Sequence, residues 1–404
     1  MIENKKLSEI TTVFADWDWI ESKDQSSKWI RLIQTWNIWT WNFKDRWDKA
    51  RYISEETFDR LNCTEIFPND CLVSRLPDPV WRSCLIPELP DRLITAVDCS
   101  IIRFKDTIEP KFFVYYSQSN QYQRDVDVLC TWATRKRISR KSLWTIEIPL
   151  PPLETQKAIV AKLDQIFAEL DQTKSEIQKN LDNTDELWKS ALNQAFQGDW
   201  DMKKLGEVIK ILTDYTANWS FASLAEHVQY KDEEDFAVLV RLKDLRKNLK
   251  NNDKVYVPEE SYNFLKKSSL TWWEYLIANV WANIWDCYEM PFINKPATLW
   301  PNMYLVKFND KVVQRYIVFM TESIIKSQII SNSVSSAQPK INKDQFKNIE
   351  IPVPPLSEQE KIVEHLDQVS KEVKALKSQY QSQLDNLEEL KKSVLNKAFR
   401  WELE

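Results

Sequence analysis

One stretch of this chain occurs twice. IEIPLPPLETQKAIVAKLDQIFAEL begins at Ile146, and IEIPVPPLSEQEKIVEHLDQVSKEV begins at Ile349. The offset of 203 residues holds without a gap from 146–198 against 349–401, with 28 identities in 53 positions. A duplication on this scale restricts the fold to two similar halves, each ending in the repeated element. Weaker matches extend it forward: Lys5-Lys6-Leu7 with Lys203-Lys204-Leu205, Arg31-Leu32 with Arg241-Leu242, and Asp70-Cys71-Leu72-Val73 with Glu274-Tyr275-Leu276-Ile277. Trp81 falls on Trp285, and Ser100–Phe104 on Tyr304–Phe308. The expected domains are therefore 1–148 (globular), 149–198 (helical), 199–351 (globular) and 352–404 (helical).

The repeated element reads as a long helix. Pro151-Pro152 and Pro354-Pro355 hold an extended lead-in, because the residue before a proline is pushed out of the helical region. Ser357 and Glu360 have the spacing of a capping box. Apolar residues then recur at 3–4 spacing: Ile362, Leu366, Val369, Val373, Leu376, Tyr380, Leu387, Leu390 and Val394 in the second copy. In the first they are Ile159, Leu163, Ile166, Leu170, Ile177, Leu187 and Ala191, with Asn180 and Gln383 as polar interruptions. One apolar stripe per helix predicts that the two pack together as a coiled coil.

The globular segments are mixed. Lys254–Val257, Tyr275–Val280 and Tyr304–Phe308 are short β-branched or aromatic runs between turn signals and read as strands. Pro258–Leu265 and Ser54–Phe58 read as short capped helices. The predicted fold class is α+β. Two similar mixed α/β domains are joined by two long helices in an antiparallel coiled coil, with pseudo-two-fold repetition.

The chain carries 19 Trp and 2 Gly in 404 residues, where about 7% Gly is usual. Many of the tryptophans stand where turns between apolar runs call for glycine, as in Thr35–Asn42, Thr271–Glu274 and Val280–Asp286. Gly198 falls on Trp401 in the repeat register. The pattern is the one expected if sixteen positions are UGA codons that a bacterium reads as glycine. These are Trp17, Trp29, Trp36, Trp39, Trp41, Trp47, Trp81, Trp132, Trp144, Trp219, Trp272, Trp273, Trp281, Trp285, Trp300 and Trp401, leaving Trp19, Trp188 and Trp200 as tryptophan. The sixteen are then expected in turns, at strand ends and past helix ends.

Several function classes are disfavoured. Six Cys form no C-x-x-C pair and there are two His, so neither a zinc site nor a His-based catalytic triad is expected. No Walker loop appears even with glycine at the sixteen positions, the G-x-x-G-x-G that glycine would create at 36–41 is not followed by a long helix, and no Asn/Asp-Pro-Pro-aromatic signature of an adenine methyltransferase is present. No run of eighteen apolar residues predicts a membrane span, and MIENKKLSEI lacks the apolar region of a signal peptide. A cytoplasmic protein is expected. The net charge of −5 hides local clusters. Thr134–Lys141 holds five cations in eight residues, Ala337–Lys343 is its counterpart, and Arg241, Lys243, Arg246, Lys247 and Lys250 form another group. The first two lie just ahead of the repeated helices, a placement suited to neutralising phosphates.

Taken together, the two proline-led helices and their AFQG and AFRW ends resemble the specificity subunit of type I restriction–modification enzymes. ATRKRISRKSL adds to the likeness, as do WWEYLIANVWANIWD and NKPATLWPNM when their tryptophans are read as glycine. That resemblance spans nearly the whole chain. It implies two target-recognition domains, each reading half of a bipartite site in double-stranded DNA, and a helical spacer on which methyltransferase subunits dock and restriction subunits join. It implies no catalysis by the chain itself and no cofactor of its own; S-adenosylmethionine, ATP and Mg belong to the partners. No membrane is involved. A coiled-coil scaffold that binds no DNA is the alternative. Arg, Gln and Asn reach base edges and Lys reaches phosphate. Candidate contacts are Gln34, Asn37, Arg75, Arg82, Arg135, Lys136 and Arg137 in the first domain, and Arg241, Lys243, Asn279, Asn283 and Lys340 in the second.

Overall fold

The computed structural model describes residues 2–16, 20–77, 79–96, 98–132, 135–278, 286–332 and 341–402. The chain divides into two compact units, Met1–Gln178 with Gln381–Glu404, and Lys179–Tyr380. Each long helix therefore begins in one unit and ends in the other.

The first unit holds an antiparallel sheet in the order Thr11–Asp16, Cys99–Phe104, Cys71–Ser74, Ser83–Leu85. A second sheet runs Gln25–Ser26, Arg51–Ile53, Ile30–Ile33, Arg92–Thr95, with the last pair parallel. The second unit repeats the first sheet and the three-stranded core of the second, whose two-residue edge strand lies on the opposite side. Ile209–Asp214, Met303–Phe308, Tyr275–Ala278 and Cys287–Glu289 form one sheet, and Val255–Val257, Ala237–Val240, Ala297–Leu299 and Ser269–Leu270 the other. The weaker sequence matches hold in register, since Leu72 faces Ile101 as Leu276 faces Leu305. One match shifts. The strand equivalent to Ile30–Ile33 is Ala237–Val240, so Gln34, not Arg31, stands in the place of Arg241.

A short ribbon closes each α/β unit at the root of its helix: Glu3–Lys6 pairs with Glu147–Leu150, and Met202–Lys204 with Glu350–Pro352. The long helices span Leu153–Ala195 and Leu356–Ala398. The second begins one residue before Ser357, which therefore lies inside the first turn and is not its cap. They pack antiparallel. In the first unit Lys174 meets Glu388 at 2.5 Å and Lys391 meets Asp171 at 2.9 Å. In the second, Lys377 pairs with Asp185, which is the first of those pairs moved by 203.

The buried stripe follows a heptad through Gln156, Val160, Leu163, Phe167 and Thr184, and through Gln359, Leu366, Val373 and Leu384, and moves on by one residue at Leu192 and Leu395. Leu187 and Leu390 are exposed. They lie one residue off this stripe, so the predicted seam is corrected beyond Asn180. Its place is taken by Thr184 and Trp188, whose ring packs on Phe319 and whose indole N–H donates to Glu322.

Trp29, Trp41, Trp273 and Trp401 have φ of 108°, 54°, 68° and 64°, a region that costs residues with a Cβ. Trp36, Trp39, Trp47, Trp144, Trp219 and Trp272 are exposed, while Trp41, Trp81 and Trp300 pack partly on core side chains. Gly198, the register mate of Trp401, does not adopt positive φ; a Cβ there would run into the Trp200 ring. Trp17, Trp19, Trp281 and Trp285 lie outside the described residues.

Candidate nucleic-acid interface

In the first unit four arginines converge on two aspartates. Asp16 ends the strand Thr11–Asp16. Asp98 sits just before Cys99–Phe104 with φ 73°, a conformation aspartate tolerates better than most residues. Arg75 follows the strand Cys71–Ser74, and its backbone N–H donates to the Asp98 carbonyl at 2.8 Å. The buried Arg75 guanidinium lies 2.7 Å from Asp16 and 3.8 Å from Asp98. Burial lowers its pKa and the two carboxylates oppose that. Its Nε is buried and has no hydrogen-bond partner among the described residues.

Over this buried pairing lie cations that face solvent. The hairpin Thr131–Trp132 with Lys136–Arg137 presents Arg137 at 2.5 Å and Arg135 at 3.7 Å from Asp98. Arg140 opens the helix capped by Ser139 and reaches Asp16 at 2.9 Å. Four guanidinium groups against two carboxylates leave positive charge, and the carboxylates hold the planar forks in set orientations. That is preorganisation for phosphate or for the O6/N7 edge of guanine. Lys136 turns aside to Asp127.

The second unit repeats the outer pair. Asp214 ends the strand equivalent to Thr11–Asp16, and Lys343 opens the helix capped by Asn342, 3.0 Å away. Arg140 and Lys343 differ by 203, so this part was visible in the repeat. Asp16, Asp98 and Asp214 were missed: a single aspartate at a strand end carries no periodic signal.

The other candidates divide by environment. Gln34 is half-buried, and its N–H donates to Asn37 Oδ1 at 3.0 Å. The buried Asn37 also donates from Nδ2 to the Lys44 carbonyl at 3.0 Å. Arg82, also buried, clamps the same loop through the carbonyls of Ile38 at 2.8 Å and Thr35 at 3.0 Å and through Ser74 at 3.2 Å. Asn37 and Arg82 thus spend these polar groups on loop architecture. Arg241 occupies the Gln34 position. It makes a two-pronged pair with Asp244, 2.9 Å for each prong, which holds its pKa above the ordinary value. Lys243 is exposed and pairs with Asp253 at 2.7 Å. Lys247 and Lys250 are exposed beside it. Asn279, Asn283 and Lys340 lie outside the described residues.

Among the described residues no group of His, Cys, Asp and Glu could hold a metal ion, and no helix is long and apolar enough to cross a membrane.

Comparison with known proteins gives one consistent answer. The family model described as type I restriction modification DNA specificity domain matches residues 57–183 and 197–386. The StySPI specificity subunit of Salmonella potsdam is 24% identical over 338 residues, covering 76% of this chain and 68% of that one. The EcoBI specificity subunit of Escherichia coli is 23% identical over 367 residues, covering 84% and 74%. A chain from a structural study of complex assembly and conformational transition of the type I R-M system superposes with TM-score 0.76 at 18% identity, covering 100% of this chain and 98% of that one. The HsdS subunit from Thermoanaerobacter tengcongensis superposes with TM-score 0.58 at 18% identity, covering 100% and 97%.

Proposed function

The chain belongs to the type I restriction modification DNA specificity family, and on that premise we propose that each α/β unit reads one half of a bipartite DNA target while the paired long helices seat methyltransferase subunits. It is the DNA specificity subunit of a type I restriction–modification system, the non-catalytic member of the complex. Restriction subunits complete the assembly. S-adenosylmethionine, ATP and Mg act in the partners, and the complex works in the cytoplasm. We take residues 1–148 and 199–351 as the two readers and 149–198 and 352–404 as the spacer.

The observation that carries the DNA reading is the repeated acid–base pair, Asp16 with Arg140 and Asp214 with Lys343, at the same place in both units. In the first unit Arg75, Arg135 and Arg137 join it. The remaining reader residues we propose are Gln34, Lys136, Arg241, Lys243, Asn279, Asn283 and Lys340. The test is a salt series on the complex assembled with methyltransferase subunits. A phosphate contact by Arg135 predicts that Arg135→Ala weakens binding to all sequences and flattens the slope of log K against log salt by about 0.9. A base contact by Arg137 predicts that Arg137→Ala costs about 1–3 kcal/mol at one base pair only. Unchanged affinity and slope in both variants would remove the arginine cluster from the interface.

We also propose that positions 29, 41, 273 and 401 are glycine positions, a reading that rests on their positive φ. UGG codons there would end the recoding explanation.

A further inference from the structure

Each long helix begins with a glutamine that the α/β unit encloses. Gln156 and Gln359 are 1% and 0% exposed. Gln156 Nε2 donates to the carbonyls of Pro151 at 2.9 Å and Thr107 at 3.3 Å, and its Oε1 accepts the Glu109 N–H at 2.9 Å. Gln359 repeats this atom for atom: Nε2 to Pro354 at 2.8 Å and Lys311 at 3.0 Å, Oε1 from Val313 at 2.8 Å. Both amide hydrogens and the carbonyl are used, so neither side chain has a second way to satisfy itself in the same pocket.

The groups they hold are informative. Thr107 and Glu109, like Lys311 and Val313, belong to the link between the second strand of the antiparallel sheet and the helix packed on it, Pro110–Tyr116 or Gln314–Met320. Eight residues along each long helix comes a second tie to that same packed helix. Asp164 accepts from Lys111 at 2.7 Å and from the Tyr115 hydroxyl. Asp367 accepts from Arg315 at 2.9 Å. Eight helical residues rise about 12 Å. One tie leaves a pivot; two ties about 12 Å apart fix the pitch of the α/β unit on its helix. Apolar packing between them, at Leu163 and Leu366, supplies adhesion without direction.

We propose that Gln156 with Asp164, and Gln359 with Asp367, are positioning residues that set the angle of each reader on its spacer helix, and through it the number of base pairs tolerated between the half-sites. The proposal rests on the bipartite reading above. The experiment uses the full chain assembled with methyltransferase subunits, its target first located by mapping methylated bases. Methylation rates are measured on duplexes with both half-sites intact and the spacer at its natural length, one pair shorter and one pair longer. Gln156→Met and Gln359→Met keep the volume and remove the three hydrogen bonds. Asp164→Asn and Asp367→Asn, at partly exposed positions, loosen the second tie and carry the test if the methionine variants fail to assemble.

The expected result is a five- to tenfold loss of discrimination against the altered spacers, with discrimination against a mismatched half-site unchanged. Spacer discrimination equal to wild type, or half-site discrimination lost in the same proportion, would overturn the proposal. A wild-type complex that methylates no bipartite target would instead refute the functional reading on which it stands.

Discussion

Trp272 and Trp273 are adjacent, both on the surface, and differ in backbone conformation. Trp273 has φ 68° and Trp272 is not among the residues with positive φ. Replacing either by glycine removes an indole that is largely in solvent, 54% exposed at 272 and 63% at 273. The burial lost is therefore similar in the two variants. The entropy that glycine adds to the unfolded chain, about 0.5–1 kcal/mol, is also common to both. Two differences do not cancel: the edge-on contact of Trp272 with Phe292, ring centroids 5.5 Å apart, which only Trp272→Gly loses, and the left-handed backbone at 273, which costs a residue with a Cβ roughly 1–2 kcal/mol and glycine almost nothing. The Trp273 N–H donates to the Met290 carbonyl at 2.7 Å, so the turn is held in this conformation and the cost is not relieved by relaxation. Trp273→Gly is thus expected to be more stable than Trp272→Gly by about 1–2 kcal/mol, a difference of roughly 2–8 °C in melting temperature for a unit of this size. Thermal melts of the two variants, with hydrogen exchange across Tyr275–Ala278 to assign the transition to the second unit, measure it. Equal melting temperatures, or Trp272→Gly the more stable, would refute the argument that position 273 is shaped for glycine.

Other expectations follow from burial and charge. Leu366→Ala, on the buried stripe, should cost about 2–5 kcal/mol in denaturant unfolding, while Leu390→Ala, exposed one residue off that stripe, should stay within about 0.5 kcal/mol of wild type. Asp98→Asn keeps the shape at φ 73° but removes the negative charge shared by Arg75, Arg135 and Arg137; unfolding should show a loss of about 1–3 kcal/mol. Burial pushes the thiol of Cys84 up to about 12 and those of Cys71 and Cys99 upward as well. At pH 8 all three should stay protonated and resist alkylation, while Cys130, partly exposed, labels first by mass spectrometry.

The repeat made the architecture legible because both periodicities it carries, 203 residues along the chain and seven along each helix, are imposed by burial. The strand equivalences at Leu72 and Leu276 and the acid–base pairing of Arg140 and Lys343 follow from it. Where side chains left that pattern, inference from residue type failed. Leu187 is apolar yet faces solvent, because the stripe passes through Thr184 and Trp188 beside it, and Leu390 is exposed in the same way on the second helix. Asn37 and Arg82 have the chemistry of base readers but are folded into their own loop. Gln156 and Gln359 are identical in register, but a polar residue on a helix carries no burial signal of its own, and only the enclosing link at Thr107 and Lys311 shows their role. Asp98 had no pattern to belong to: its role depends on a left-handed backbone and on three arginines from two separate stretches.

The central claim is that two units of one chain each choose half of a DNA target. It is tested most directly by mapping methylated bases in DNA treated with the chain and its methyltransferase partners, first as it stands and then with residues 1–148 exchanged for those of another family member. The expected result is two short specific half-sites around a non-specific spacer of constant length, and an exchange that rewrites one half while the other and the spacer persist. A single continuous target, or an exchange that alters both halves together, would contradict it.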